Sequence, residues 1–316
     1  MPWFDLSVEE LAEYRIATQE PPGLDAWWAD RLAASRAAAR PPKLTPHEPV
    51  LYAPLEVHDV EFSGADGDRI RAWYIRPGFD PDGAAPTVVK FIGYGGGRDL
   101  PTSHLTLPAL GYALFVMDTR GQGGRWSTGA TEPANSAVMT QGITRPEDYY
   151  YTKLFTDAVR AVETAAGLAD EPAVSVSGGS QGGALALAAA ALAPDLVRLC
   201  HADVPFLCDI QRAITLAPSA PYTEVPEFLA QNTALIPAAL DTLRYVDCAL
   251  LARRITARSL LSTALMDTIC PPSTVFAAYH EITAEKDIVV HPYSGHDVPA
   301  THFERQLRHL REFWPG

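Results

Sequence analysis

Gly178-Gly179-Ser180-Gln181-Gly182 matches the pattern G-x-S-x-G, with an apolar run over 173–177 leading into it and an Ala-rich helical pattern starting straight after. A strand, a sharp turn and a helix in that order predict a nucleophile elbow. The turn strains the serine backbone and presses neighbouring chains together, so small residues are required two before and two after it, and Gly178 and Gly182 supply them. The Ser180 hydroxyl then projects near the first turn of a helix, whose free N–H groups favour developing negative charge. Its chemistry would be attack on a carbonyl carbon. The competing reading is an ordinary Gly-rich turn with a helix-capping serine.

A serine hydroxyl needs a general base, and the base needs an acid that fixes its tautomer; with this elbow both lie downstream, acid before histidine. Of nine histidines, His47, His58 and His104 precede the serine. His201 and His291 fall on predicted strands, and His280, His302 and His309 inside predicted helices. His296 alone lies in a loop between the last strand and the final helix, where the base belongs. For the acid, Asp267 sits at a strand's carboxyl end, 29 residues before His296, room for one helix and one strand. Asp287 opens a strand at the wrong end, and Asp297 adjoins the base, where consecutive side chains diverge. Asp267 is therefore preferred; its bland alternative is a helix-capping carboxylate.

An acyl-transfer site also needs two backbone N–H groups for the oxyanion. Gln181 offers one. The glycine-rich stretch Gly93-Tyr94-Gly95-Gly96-Gly97-Arg98 follows another strand and offers the Tyr94 amide as the second. That stretch lacks the Lys-Ser/Thr of a phosphate loop, and Arg98 stands where a dinucleotide fold has its last glycine. His280-Glu281 opens like a zinc-protease helix, but Ala284 occupies the second histidine's place. Neither a nucleotide nor a metal cofactor is expected.

The elements that must hold these residues are legible in outline. Ser7 and Glu10 form a capping-box pattern before a first helix, and 24–40 reads as a second that Pro41-Pro42 stops. Alternation from Leu55 to Phe62, the turn 64–68 and alternation again at Ile70, Ala72 and Tyr74 predict a hairpin. Apolar runs at 87–92, 112–117, 173–177, 197–201, 259–265 and 287–291 alternate with helical patterns at 147–167, 181–193, 272–283 and 298–313. That rhythm is the signature of a mostly parallel sheet covered on both faces. The chain reads as one α/β domain over 1–316, with a helical extension at 1–50 and a helical insertion at 205–255 over the sheet edge that would shape a substrate pocket.

Composition narrows the partners. The 316 residues are 47% hydrophobic and 20% charged, enough for a sizeable core, and the formal net charge of −13 disfavours nucleic acid and anionic membranes. No run approaches the roughly 18 apolar residues of a membrane span. Cys200, Cys208, Cys248 and Cys270 are too sparse for a disulfide framework and read as free thiols, and the acidic first residues do not resemble a secretion signal, so a cytoplasmic location is expected.

Four stretches, Asp118-Thr119-Arg120-Gly121-Gln122-Gly123, Gly178 to Gly183, Asp203 to Cys208 and Met266 to Tyr279, together resemble the acetyl xylan esterase and cephalosporin-C deacetylase family, carbohydrate esterase family seven. The resemblance runs over nearly the whole chain. It implies an α/β-hydrolase fold, removal of acetyl groups from short xylo-oligosaccharides and other small acetyl esters, no metal, and a ring-like homo-hexamer with inward-facing sites. It places nucleophile, acid and base on Ser180, Asp267 and His296, and the oxyanion donors on the Tyr94 and Gln181 amides. One departure stands: Asp297 follows the histidine where the family usually has Glu. Arg120 and Gln122 have no catalytic role derivable from sequence, and an arginine bracing loops by fork-shaped hydrogen bonds is favoured over substrate contact. The alternatives are another activity on the same fold (a peptidase, thioesterase or dienelactone-type hydrolase) and a non-catalytic binding protein on a hydrolase scaffold.

Overall fold

Residues 3–78, 85–123, 137–169 and 172–314 are described by a computed structural model. Short β-branched and aromatic runs pair edge to edge in one sheet, and the longer Ala- and Leu-rich stretches coil over its faces. The strands are β1 (Lys43–Pro46), β2 (Leu55–Ser63), β3 (Arg69–Pro77), β4 (Thr87–Phe91), β5 (Ala113–Met117), β6 (Val174–Gly179), β7 (Val197–Asp203), β8 (Arg258–Ala264) and β9 (Lys286–His291), in the spatial order β1-β2-β3-β5-β4-β6-β7-β8-β9. The first three and the β3–β5 pair run antiparallel; from β5 onward neighbours are parallel. This is the mostly parallel sheet expected, with the hairpin at its antiparallel end.

The helices are α1 (Val8–Glu13), α2 (Leu24–Ala37), α3 (Thr106–Ala109), α4 (Tyr150–Leu168), α5 (Gln181–Leu192), α6 (Ile210–Leu216), α7 (Glu224–Gln231), α8 (Ile236–Leu243), α9 (Cys248–Leu251), α10 (Pro272–Glu281) and α11 (Ala300–Phe313). The period-two alternation of β3 divides its side chains between two cores. Ala72 and Tyr74 join the larger cluster with α2, α4, α5 and α10, whereas Trp73 and Ile75 join the smaller one with Leu107 of α3 and Leu310 of α11. Ser7 caps α1 with the expected box, its hydroxyl accepting from Glu10 N and the Glu10 carboxylate accepting from Ser7 N.

One feature differs from the sequence expectation. A helical extension is expected over 1–50, yet that stretch also contributes β1, which pairs with β2 from Lys43↔Glu61 to Pro46↔His58. A four-residue exposed strand closed by proline carries no hydrophobic alternation, so nothing local announces it. The 205–255 stretch contains α6 to α9, of which α9 packs on α5 and α10, α6 on α10, and α7 and α8 on α6. Among the described residues no helix is long and apolar enough to cross a membrane.

Candidate active site

The elbow forms because β6 ends at Gly179 and α5 begins at Gln181, leaving one residue to reverse the chain. Ser180 takes φ 58°, ψ −122°, a conformation that costs a non-glycine residue of order 1–3 kcal/mol. Its surroundings hold it there. Ser180 N donates to Asp203 O at 2.8 Å, and its carbonyl accepts from Phe206 N at 3.0 Å. A Cβ on Gly178 would lie 2.4 Å from the Gly182 carbonyl, and one on Gly182 would lie 2.5 Å from Phe91 O. Both positions must be glycine for the turn to close.

The loops after β8 and β9 bring the other two groups to this point. His296 Nε2 lies 2.8 Å from Ser180 Oγ, and His296 Nδ1 lies 2.8 Å from Asp267 Oδ2. Asp267 is fully buried, and its other oxygen accepts from Ile269 N at 2.8 Å and Cys270 N at 2.9 Å. A carboxylate can only accept, so the imidazole proton belongs on Nδ1 and the Nε2 lone pair faces the serine hydroxyl. The acids set aside in the sequence lie elsewhere: Asp297 takes the Gly295 N–H at 3.1 Å, and Asp287 is paired with Arg305.

Tyr94 occupies the loop leaving β4, and Gln181 opens α5 directly after Ser180. Gln122 ties these two segments together. Its Oε1 accepts from Gly95 N at 2.6 Å, and its Nε2 donates to Gln181 Oε1 at 2.9 Å and to Tyr150 Oη at 2.7 Å. Arg98 anchors the same loop farther out, its guanidinium donating to Asp59 at 2.8 Å and to Ala72 O at 2.7 Å while lying 3.8 Å from the Trp73 ring centre. Arg120 braces rather than reaches. Its fork donates to both oxygens of Asp157 at 2.5 and 2.7 Å and to Asp68 at 2.9 Å, and Arg120 and Asp157 are fully buried.

Two neighbours escaped the sequence reading. Glu224, at the start of α7, accepts from Tyr94 Oη at 2.7 Å and from Met139 N at 3.1 Å. Burial pushes its carboxyl above the ordinary range, opposed by those two hydrogen bonds. No motif marks a glutamate inside an insertion, so only the fold could reveal it. Buried Cys270 stands beside the acid, its backbone N–H donating to Asp267 Oδ1 at 2.9 Å. Among the described residues, Asp267, Cys270 and His296 are the group able to hold a metal ion, with ligand atoms within 4.8 Å of one another.

Residues 1–313 match the family described as acetyl xylan esterase (AXE1). The acetyl esterase Axe7A of Xylanibacter ruminicola is 32% identical over 163 residues, which span 51% of this chain and 36% of that protein. Among solved structures, the acetyl xylan esterase from Paenibacillus sp. R4 is 31% identical with a TM-score of 0.88, covering 97% of this chain and 99% of its own. Acetyl xylan esterase 1 from Thermoanaerobacterium sp. JW/SL YS485 is also 31% identical at a TM-score of 0.88, covering 98% and 100%.

Proposed function

Because the chain belongs to the acetyl xylan esterase family, we propose that it is a serine esterase that removes acetyl groups from small acetylated substrates, acting through Ser180, His296 and Asp267. The observation that carries this reading is the relay of two 2.8 Å contacts joining carboxylate, imidazole and hydroxyl at a strained elbow. His296 Nε2 takes the Ser180 proton as Oγ attacks the acetyl carbonyl, and Asp267 holds the Nδ1 proton and stabilises the imidazolium. The Tyr94 and Gln181 amides receive the oxyanion. His296 then returns the proton to the departing alcohol, and water activated by the same nitrogen releases acetate.

Short xylo-oligosaccharides and cephalosporin C are the proposed substrates, and a cytoplasmic homo-hexamer is the proposed form of the enzyme. An interface beside the edge strand is supported by Val50 and Leu51, which are 93% and 68% exposed between β1 and β2. The test is turnover of acetylated xylobiose, glucose pentaacetate, cephalosporin C and p-nitrophenyl esters of increasing length, by parent and Ser180→Ala. Acetyl esters should be preferred, and the variant should lose activity while keeping its fold. Substantial residual turnover in the variant would overturn the assignment.

A further inference from the structure

Tyr94 lies between Gly93 and Gly95 in a stretch that runs on through Gly96 and Gly97. Gly95 takes φ 76°, and residues without a Cβ impose little preference on the peptide planes beside them. Gly96 N donates to Gly93 O at 3.1 Å, which closes the turn, but among the described residues no acceptor takes the Tyr94 N–H itself. The direction of that amide therefore depends on contacts made from outside the turn. One is Gln122, whose Oε1 accepts from Gly95 N at 2.6 Å. The other is the Tyr94 side chain, whose Oη donates to Glu224 Oε1 at 2.7 Å. Two side-chain torsions with few allowed wells join the ring to its Cα, so pinning the hydroxyl restrains the backbone at the other end.

Glu224 is itself held in place. It is the first residue of α7, and its other oxygen, Oε2, accepts from Met139 N at 3.1 Å. Met139 O in turn accepts from the hydroxyl of Tyr149 at 3.0 Å, a fully buried residue that leads into α4. One carboxylate thus joins α7 to the loop after β4 and to the turn at 138–140, segments 130 and 85 residues away from it. Accepting on both oxygens is what a carboxylate provides and an amide cannot, because an amide has one acceptor oxygen and an NH2 that donates. We propose that Glu224 is a positioning residue of the acyl-transfer site: by clamping Tyr94 Oη to α7 it fixes the amide that receives the oxyanion, and so ties turnover to the seating of α7. Donors placed before charge develops stabilise the transition state more than the bound ester, so loosening the clamp should appear in kcat rather than in KM.

The effect on turnover rests on the esterase reading, but the clamp does not, and the experiment separates them. Kinetics on p-nitrophenyl acetate compare the parent, Glu224→Ala, Glu224→Gln, Tyr94→Phe and Tyr94→Phe/Glu224→Ala. Each rate is divided by the serines titrated to completion with an organophosphonate, so that misfolded chains do not count. Glu224→Ala and Tyr94→Phe should each lower kcat roughly tenfold with KM within about twofold of the parent. The double variant should lose no more than either single one, because both remove the same hydrogen bond. Glu224→Gln keeps an acceptor for Tyr94 Oη and should recover to within about threefold of the parent. In parallel, amide hydrogen exchange is followed by mass spectrometry in Ser180→Ala and Ser180→Ala/Glu224→Ala. Loss of the carboxylate should speed exchange over 93–98 and 138–141 by roughly tenfold and leave α5 unchanged. Unaltered exchange over 93–98, additive kinetic losses, or a loss confined to KM would overturn the proposal. A parent inert towards acetyl esters would remove the esterase reading instead, and the exchange difference would then decide the clamp by itself.

Discussion

Gln122 holds no reacting atom, yet it joins the two segments whose amides are proposed to receive the oxyanion. Its contacts to Gly95 N and Gln181 Oε1 fix the spacing between them. Oxyanion stabilisation depends on donors placed before charge develops, so loosening one should cost turnover rather than ground-state binding. Gln122→Ala should lower kcat by about 10–100-fold with little change in KM and an unaltered pH profile, as measured by steady-state kinetics on p-nitrophenyl acetate. Gln122→Glu keeps the acceptor for Gly95 but loses the donor to Gln181, and should fall between the two; a KM effect alone would assign Gln122 to substrate binding. Asp267→Asn bears on the relay itself, because an amide that donates to Nδ1 reverses the tautomer, and a loss of about 10⁴ in kcat is expected. That Ser180, His296 and Asp267 come together was legible in the sequence because each stands at a strand's carboxyl end, a position that local pattern reveals. The role of Gln122 was not, since its partners lie 27, 28 and 59 residues away and its side chain meets them only after the sheet is assembled.

Arg120 acts between elements, fastening the loop after β5 to α4 through Asp157 and to the β2–β3 turn through Asp68. Asp157 also accepts from Ala65 N in that turn at 2.8 Å, so one buried carboxylate serves helix, turn and loop together. Removing the guanidinium would strand this carboxylate in the core, and breaking a buried pair in that way costs about 3–5 kcal/mol. Arg120→Met should therefore lower the unfolding free energy by that amount, read as a lower urea midpoint with an unchanged slope, and Arg120→Lys should recover little, because an ammonium cannot reproduce the two-pronged contact. A shift below about 1 kcal/mol would mean the fork is not a stabilising device. At this scale the sequence was informative wherever a segment buries itself by its own periodicity. The hairpin, the six later strands and helices α4, α5, α10 and α11 lie within a few residues of their expected bounds. β1 was invisible because pairing with β2, not its own side chains, makes it a strand. The Arg120 fork was anticipated in kind, although its acceptors Asp68 and Asp157 could be named only once β5 and α4 had been brought together.

Across the whole molecule, acid stability depends on imidazoles that folding keeps uncharged behind the nucleophile. His201 on β7 is buried, with Nε2 2.9 Å from His309 Nδ1 on α11, and it stands two residues before Asp203, whose carbonyl holds Ser180 N. Burial, then the neighbouring His309, pull the His201 pKa down to about 3, from an ordinary value of 6.5. His309 and His291 are lowered as well, chiefly by burial. Between those two values the unfolded chain binds a proton that the folded one refuses, so stability rises with pH there. The stability that His201 contributes is fully present above the unfolded value and is lost as pH falls towards the folded one, by up to about 1.4 kcal/mol per pH unit. Asp247 on the insertion acts in the opposite sense: burial and the nearby Asp209 raise its pKa from 3.8 to about 7, so its contribution is lost as pH rises through that window. Because the two slopes oppose, the total pH dependence cannot isolate either group, whereas the difference between parent and His201→Gln can. Thermal unfolding of both proteins from pH 7.5 down to about 4.5 should show the parent losing stability relative to the variant progressively below the ordinary histidine pKa, with no change in their difference above about pH 7.5. A difference that stays flat across the range, or grows in the parent's favour on acidification, would show that His201 takes up its proton in the folded state.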